Sequence, residues 1–282
     1  MKVTIALWYV LLVHACSALQ AFTPSRNGRR IRSCHKSTRS DFSAITTNDA
    51  FETYCRGGDH IPFVCIEHAL SEDFIASLRH DASSLRASGF GATSGVASKV
   101  DVQNIRHGVH QIWMQSPGSP LLHALVGNLD SRKELQRLVE TIRQSLCNED
   151  RVLAPEFVEL SYVFYDEGSF YKRHIDTTIR RNGKNFKRSV SIILYLGDPN
   201  FDKQAWHCES DGGALRVYND EGFKVEDVLQ RFDVNSNDGF ADISPNPGTL
   251  VVFDSAVVPH EVLTTYRSRT VIVGWFGEET EP

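Results

Sequence analysis

Much of what this sequence excludes follows from what it lacks. Its six cysteines include no CxxC or comparable spacing, which excludes a thiolate zinc site or a dithiol redox pair built from neighbouring residues. Its N-terminal apolar run, Val3 to Val13, falls short of the roughly 20 residues that a bilayer-spanning helix needs, so no stable membrane insertion is expected. No internal repeat follows it, which sets aside solenoids and repeat arrays. Positive charge is scarce in the body of the chain. The first 48 residues carry seven of the 30 Lys+Arg and one of the 35 Asp+Glu, leaving 23 against 34 and a net charge of −11. Such a surface does not favour nucleic acid by bulk electrostatics, and none is expected as a partner.

What is present begins with a leader. Met1-Lys2, the apolar run and the small residues Ala15, Ser17 and Ala18 have the layout of a secretory signal over residues 1–21. Phe22 to Ser40 then holds Arg26, Arg29, Arg30, Arg32, Lys36 and Arg39 and no acidic residue, so 22–48 reads as a transit-peptide-like or a disordered basic segment. With Ala21-Phe22-Thr23-Pro24 at the junction, the leader resembles bipartite plastid-targeting leaders. Entry into the secretory pathway is expected, ending in a plastid or in the ER lumen or outside. Four cysteines lie beyond it, Cys55, Cys65, Cys147 and Cys208, and sequence does not choose between thiols and disulfides.

Residues 49–60 read as a linker and 61–282 as one domain, for which 41% hydrophobic content supplies a core. Ile61 to Glu67 is an extended segment able to pair at a sheet edge. Ser71 caps a helix whose Phe74, Ile75, Leu78 and Leu85 recur at helical spacing, and a Gly/Ser stretch from Ser88 breaks it. A second helix is expected between Ser119-Pro120 and Leu129, and Ser131-Arg132-Lys133-Glu134 reads as a capping box opening a third. From Glu156 the period changes to two. Phe157 to Tyr165, Phe170 to Asp176, Ser189 to Leu196, Ala214 to Tyr218, Thr249 to Phe253, Glu261 to Thr265 and Thr270 to Phe276 are short runs parted by turn residues. Helices followed by strands predict an α+β, mainly β domain, with helices at 61–150 on one side of a closed or double sheet at 156–277. The polar, acidic stretch Asn219 to Asp238 reads as an insertion or lid.

In the strand ending Arg173-His174-Ile175-Asp176, residues 174 and 176 share a face because side chains alternate. His260, in Val258-Pro259-His260-Glu261-Val262, lies just beyond another strand and can be brought opposite. Two histidines and one carboxylate on one face of an iron leave positions open for oxygen chemistry. A His-x-Asp alone also fits a surface pair or a core histidine. Arg269 follows nine residues after His260 and starts a strand through Val271, Val273 and Trp275. Its side chain can therefore enter the sheet interior and hold a carboxylate bidentately. Arg267 has the same parity and competes for that role, and an exposed strand-end arginine is the alternative for both. Ile192, Leu194, Leu215, Val251 and Phe253 are candidate dry walls. Arg180, Arg181, Lys184, Lys187 and Arg188 make 177–188 a basic stretch, either solvated or steering an acidic polypeptide or a co-substrate.

Four stretches, Tyr165 to Asp176, Ser191-Ile192-Ile193-Leu194-Tyr195-Leu196, Gly212 to Tyr218, and Pro259-His260-Glu261-Val262 through Trp275-Phe276, occur in an order that resembles the prolyl 4-hydroxylase branch of the 2-oxoglutarate/Fe(II) dioxygenases, and more closely the oxygen-sensing prolyl hydroxylases. Ile105-Arg106 with Ile112-Trp113 resembles the segment preceding that core. The resemblance implies a double-stranded β-helix (jelly roll), with His174, Asp176 and His260 as iron ligands and Arg269 and Tyr195 holding the distal carboxylate of 2-oxoglutarate. Tyr165 matches a catalytic-site tyrosine that contacts co-substrate or target. It also implies Fe(II), 2-oxoglutarate, O2 and L-ascorbate as cofactors and co-substrates. The reaction would release succinate and CO2 while hydroxylating proline in a protein or peptide. A hydroxylase of another side chain or of a small molecule, and a non-catalytic cupin-like metal-binding or sensing protein, remain as alternatives.

Overall fold

The computed structural model describes residues 42–56, 62–93, 105–114, 126–176, 179–181, 185–198, 206–218 and 239–280. The signal, nearly all of the basic segment, most of the helix expected after Ser119-Pro120 and the insertion at 219–238 lie outside the described residues, as do the side chains of 177–184. Two short helices come first, α1 (Ser43–Thr46) and α2 (Asp49–Cys55). They correct the expected linker over 49–60. Asn48 caps α2 by accepting from the backbone N–H groups of Ala50 and Phe51, and burial of Phe51 and Tyr54 on one face supplies what so short a helix lacks in propensity. Ile45 is also buried, so the packed domain includes residues ahead of 48.

Then follow β1 (Phe63–Ile66), α3 (Glu72–Ala87), β2 (Ala92–Thr93), β3 (Arg106–Trp113) and α4 (Leu129–Leu146). Ser71 caps α3 as expected, its side chain accepting from the Phe74 N–H. The expected capping box at Ser131 is corrected. Asn128 Oδ1 accepts from the N–H groups of Asp130 and Ser131, so α4 starts at Leu129 and Ser131 is buried inside its first turn. Beyond α4 come β4 (Val158–His174), β5 (Ile179–Arg181), β6 (Asn185–Gly197), the short α5 (Cys208–Asp211), β7 (Leu215–Tyr218), β8 (Phe240–Ile243), β9 (Leu250–Asp254), β10 (His260–Val262) and β11 (Arg269–Thr280). The four described cysteines are free thiols. Among the described residues no helix is long and apolar enough to cross a membrane.

The strands form one antiparallel path, β1-β9-β6-β11-β4-β10-β7-β8, with β3 added to β4, β2 to β3 and β5 to β6. β1 is an edge strand, as its sequence suggested. The two strands expected at 157–165 and 170–176 are a single long β4 that changes partner, pairing with β11 through Val158 to Tyr165 and with β10 at Tyr171 and His174. The change falls at Gly168, whose φ of +81° suits glycine and whose N–H donates to the Thr265 carbonyl at 2.8 Å. One strand thereby joins both halves of the jelly roll.

Side-chain alternation gives the major strands two apolar faces. Tyr162, Phe164, Ile192, Leu194, Val252 and Ile272 pack outward with Leu78 and Leu85 of α3 and Leu138 and Ile142 of α4. Val163, Tyr165, Ile193, Tyr195, Val251, Phe253 and Val271 face inward with Leu215 and Val217. Ile192 and Leu194 are therefore not walls of the interior. Tyr195 points inward, so Ile193 shares its face and the expected pair lies under the helices; Leu215, Val251 and Phe253 do line the inside. Replacing Leu78, fully buried between α3 and the sheet, is expected to cost about 2–5 kcal/mol as Leu78→Ala. Urea unfolding should show the lowered midpoint, while the folded variant keeps its metal stoichiometry.

Candidate metal centre

β10 runs beside β4 with His260 opposite His174, so the change of partner along β4 brings the two imidazoles together. Their ring centroids are 4.3 Å apart. Asp176 follows two residues beyond His174, its backbone N–H donating to the Ser255 carbonyl at 3.0 Å. One ligand atom from each of the three residues lies within 4.8 Å of the others. His174 Nε2 is 3.4 Å from Asp176 Oδ1, and His260 Nε2 is 3.8 Å from Oδ2.

The remaining ring nitrogens are tied back. His174 Nδ1 lies 2.8 Å from the Lys172 carbonyl and His260 Nδ1 3.0 Å from that of Val258, contacts that require Nδ1–H and leave both Nε2 lone pairs aimed inward. Burial lowers the pKa of His260 to about 4, despite the opposing pull of Asp176, so it is neutral at pH 7. Burial raises the pKa of the Asp176 carboxyl, but His260, His174 and the Trp275 N–H together outweigh it and hold the group well below the usual carboxylate range. Two imidazoles and an ionised carboxylate are the donor set for a divalent iron with three further positions open.

A second layer fixes the carboxylate. Asp176 Oδ2 accepts from Ser191 Oγ at 2.8 Å and from the Trp275 indole N–H at 3.0 Å, and Ser191 is itself 2.8 Å from the buried Ser255 hydroxyl. Cross-strand register sets this row, because Trp275 stands between Glu159 on β4 and Ser191 on β6. Arg188 closes it, with its Cζ 3.7 Å from the Trp275 ring centre and its Nε 2.6 Å from Glu159. Arg188 is thus a buried, paired strand residue, which corrects its expected place in a free basic stretch. With two donors on Oδ2, Oδ1 is the oxygen left for an ion. Tyr171 stacks on His174 at 3.6 Å between centroids, and Phe253 meets His260 edge-on at 4.8 Å.

Arg269 opens β11 opposite Tyr165 and is 2% exposed, its guanidinium carbon 4.5 Å from the Tyr165 ring centre and 5.4 Å from that of Tyr195. Its Nε and Nη2 have no hydrogen-bond partner among the described residues. A buried guanidinium without acceptors costs several kcal/mol, so the protein is built for a carboxylate at this point. A Cβ on Gly213 would stand 3.2 Å from that Nε, so glycine, at φ +69°, keeps the space beside it clear. Arg267 is not the clamp, since it pairs with Asp198 and Asp211 at 3.0 and 3.2 Å. Burial raises the pKa of the Tyr195 phenol, with Arg269 only partly offsetting it, so Tyr195 remains a neutral donor. Tyr171 and Phe253, which touch the histidines, belong to the same interior cluster as Tyr165 and Tyr195, which touch Arg269. The ligand triad and the guanidinium are therefore bordered by one interior cluster of the sheet.

A sequence model of the 2OG-Fe(II) oxygenase superfamily matches residues 160–277, the span that holds the triad, Ser191, Trp275, Tyr165, Tyr195 and Arg269. Residues 160–277 belong to the 2OG-Fe(II) oxygenase superfamily. That span carries a 2-oxoglutarate-dependent dioxygenase domain, and its fold is similar to that of prolyl 4-hydroxylases. It is similar to a Pseudomonas putida prolyl-4-hydroxylase at 25% identity and TM-score 0.58, over 81% of this chain and 99% of that one. The fold is also shared with a prolyl hydroxylase from Trichoplax adhaerens solved with a hypoxia inducible factor peptide, at 21% identity and TM-score 0.58 over 80% and 88% of the two chains. A prolyl 4-hydroxylase from Phytophthora capsici has the same fold at 15% identity and TM-score 0.56, over 85% and 65%. No curated protein matches the sequence.

The structure brings the expected His174, Asp176 and His260 together and sets Tyr165 and Tyr195 against Arg269, while the contacts that hold Asp176 were not foreseen from the sequence. Counting back by twos from Tyr195 puts Ser191 on its face, a polar residue in an apolar strand, and that was the available signal. Ser191→Ala and Trp275→Phe should each weaken Co(II) binding about 10–100-fold by calorimetry, with the fold retained by circular dichroism. His174→Ala should abolish it.

Proposed function

We propose that this dioxygenase hydroxylates proline in a protein or peptide, with 2-oxoglutarate giving succinate and CO2 and ascorbate as auxiliary reductant. The observation that carries the reading is the buried guanidinium of Arg269, short of acceptors and set in the same interior cluster that borders the His-Asp-His triad. A protein that only stored or sensed a metal has no use for that charge. The likeness to the Pseudomonas putida prolyl-4-hydroxylase supports proline as the target, and the peptide carried by the Trichoplax adhaerens enzyme supports a polypeptide substrate.

His174, Asp176 and His260 would hold Fe(II), which with 2-oxoglutarate and O2 supplies the oxidation of an unactivated C–H bond. The chain's own contributions are positional. Arg269 and the neutral Tyr195 phenol bind the distal carboxylate of 2-oxoglutarate and fix its length along the cavity, while the Tyr165 ring covers the guanidinium from the other side. Val251, Phe253 and Val271 exclude water from the space between the two ends. Asp176, held through Oδ2, keeps Oδ1 turned inward and leaves adjacent positions for co-substrate and oxygen. The N-terminal leader supports delivery through the secretory pathway, which a mass spectrum of the native N-terminus tests, an intact Met1 counting against it.

The test is succinate release by the full chain with Fe(II), ascorbate and a panel of proline peptides. Release should require iron, rise with a peptide and yield a peptide 16 Da heavier at proline. Arg269→Gln should raise the KM for 2-oxoglutarate about a hundredfold or more. Succinate without any oxidised proline would redirect the assignment to another target.

A further inference from the structure

Arg106 is a second arginine near the centre whose Nε has no hydrogen-bond partner among the described residues. It begins β3 opposite Tyr171, and its guanidinium carbon lies 4.5 Å from the centre of the Tyr171 ring, which in turn stacks on His174. The order imidazole, phenol, guanidinium runs outward from the metal ligands. The residue is partly exposed, yet its Nε is buried with no hydrogen-bond partner, and no carboxylate among the described residues pairs with the group. The contrast with its neighbours is plain. Arg86 takes both oxygens of Asp166, Arg188 takes Glu159, Arg216 takes Asp242 and Arg267 takes Asp198 and Asp211. In a chain whose body carries an excess of acidic residues, a guanidinium beside the catalytic cavity left without one is unusual.

Tyr171 accounts for its orientation but not for its charge. A cation over an aromatic face gains about 0.5–2 kcal/mol and leaves the N–H donors in the ring plane's direction unused. Those donors form a flat fork, the shape that matches a carboxylate. The 2-oxoglutarate carboxylate has its own partner in Arg269, which lies against Tyr165 and Tyr195, whereas Arg106 lies against Tyr171.

We infer that Arg106 is a substrate-binding residue that receives a side-chain carboxylate of the polypeptide, so that the enzyme selects target residues flanked within a few positions by Asp or Glu. This rests on the polypeptide reading above and adds a charge requirement to it. The stack fixes the fork relative to His174, and thereby the spacing between the acidic residue and the oxidised carbon.

The test uses the full chain and a proline-centred peptide library in which Asp, Glu, Asn or Gln occupies each of four positions on either side. Binding is read by fluorescence anisotropy on protein loaded with Co(II) and 2-oxoglutarate, apart from any turnover. One acidic position should bind about tenfold or more tighter than its amide counterpart, and the difference should shrink with salt. Arg106→Gln should erase that difference, Arg106→Lys should restore part of it, and the affinity for 2-oxoglutarate should be unchanged in both. An equal affinity for acid and amide peptides, or a preference that survives in Arg106→Gln, would overturn the inference. So would a library that binds nowhere. In each of those cases iron-dependent succinate release still decides the oxygenase reading separately. Should Arg106→Gln be unstable, the 15Nε signal of Arg106 in the wild-type protein must move on adding the acidic peptide and stay still with the amide; any other pattern counts against the assignment.

Discussion

The carboxylate of Asp176 is where the separate parts of this sheet are made to agree. Its Oδ2 receives Ser191 from β6 and Trp275 from β11, its backbone N–H reaches Ser255 just beyond β9, and its open side faces His174 at the end of β4 and His260 at the start of β10. Five strands must hold register for those contacts to coexist. A slip of one residue in any of them turns its inward side chains outward. The row Glu159, Trp275, Ser191 carries that demand across the sheet, and the Arg188 guanidinium, lying on Trp275 and bonded to Glu159, keeps the indole from rotating away.

That arrangement also divides labour between the two faces. The outer face is closed by α3 and α4 over Tyr162, Phe164, Ile192 and Ile272, and it supplies ordinary hydrophobic stability. The inner face accepts costs that a stability-driven fold would avoid: a buried guanidinium with two nitrogens short of acceptors, two histidines with tied-back Nδ1 atoms, and a carboxylate in the interior. Each cost is relieved by a ligand, a cation at the triad and a carboxylate at Arg269. Local inconsistency between stability and sequence is concentrated where the chemistry is.

Much of this was legible in the sequence because strands write their geometry with period two. His174 and Asp176 on one face, and Arg269 in phase with Val271 and Val273, need nothing beyond that alternation. The same rule, followed from Tyr195, assigns Ile193 rather than Ile192 to the interior. What stayed hidden depends on register between distant strands or on local capping. Glu159 and Trp275 are more than a hundred residues apart, and no periodicity pairs them. The polar interruption Asp166-Glu167-Gly168-Ser169 suggested two strands where one continues with a change of partner at Gly168. Asn48, as a cap, starts a short helix that the sequence read as linker, and Asn128 moves the start of the expected third helix back to Leu129. The competition between Arg267 and Arg269 could be resolved only by seeing Asp198 and Asp211 beside the former.

The central claim is that the triad and Arg269 are two ends of one co-substrate site, so that metal and 2-oxoglutarate bind as a coupled pair. Calorimetric titration of 2-oxoglutarate into the anaerobic protein, with and without Co(II), measures that coupling directly. The account predicts an affinity at least about tenfold higher with the metal, and by linkage an equal gain in metal affinity when 2-oxoglutarate is present. Equal affinity in both states would contradict it, because the dianion would then be bound somewhere that the metal does not reach.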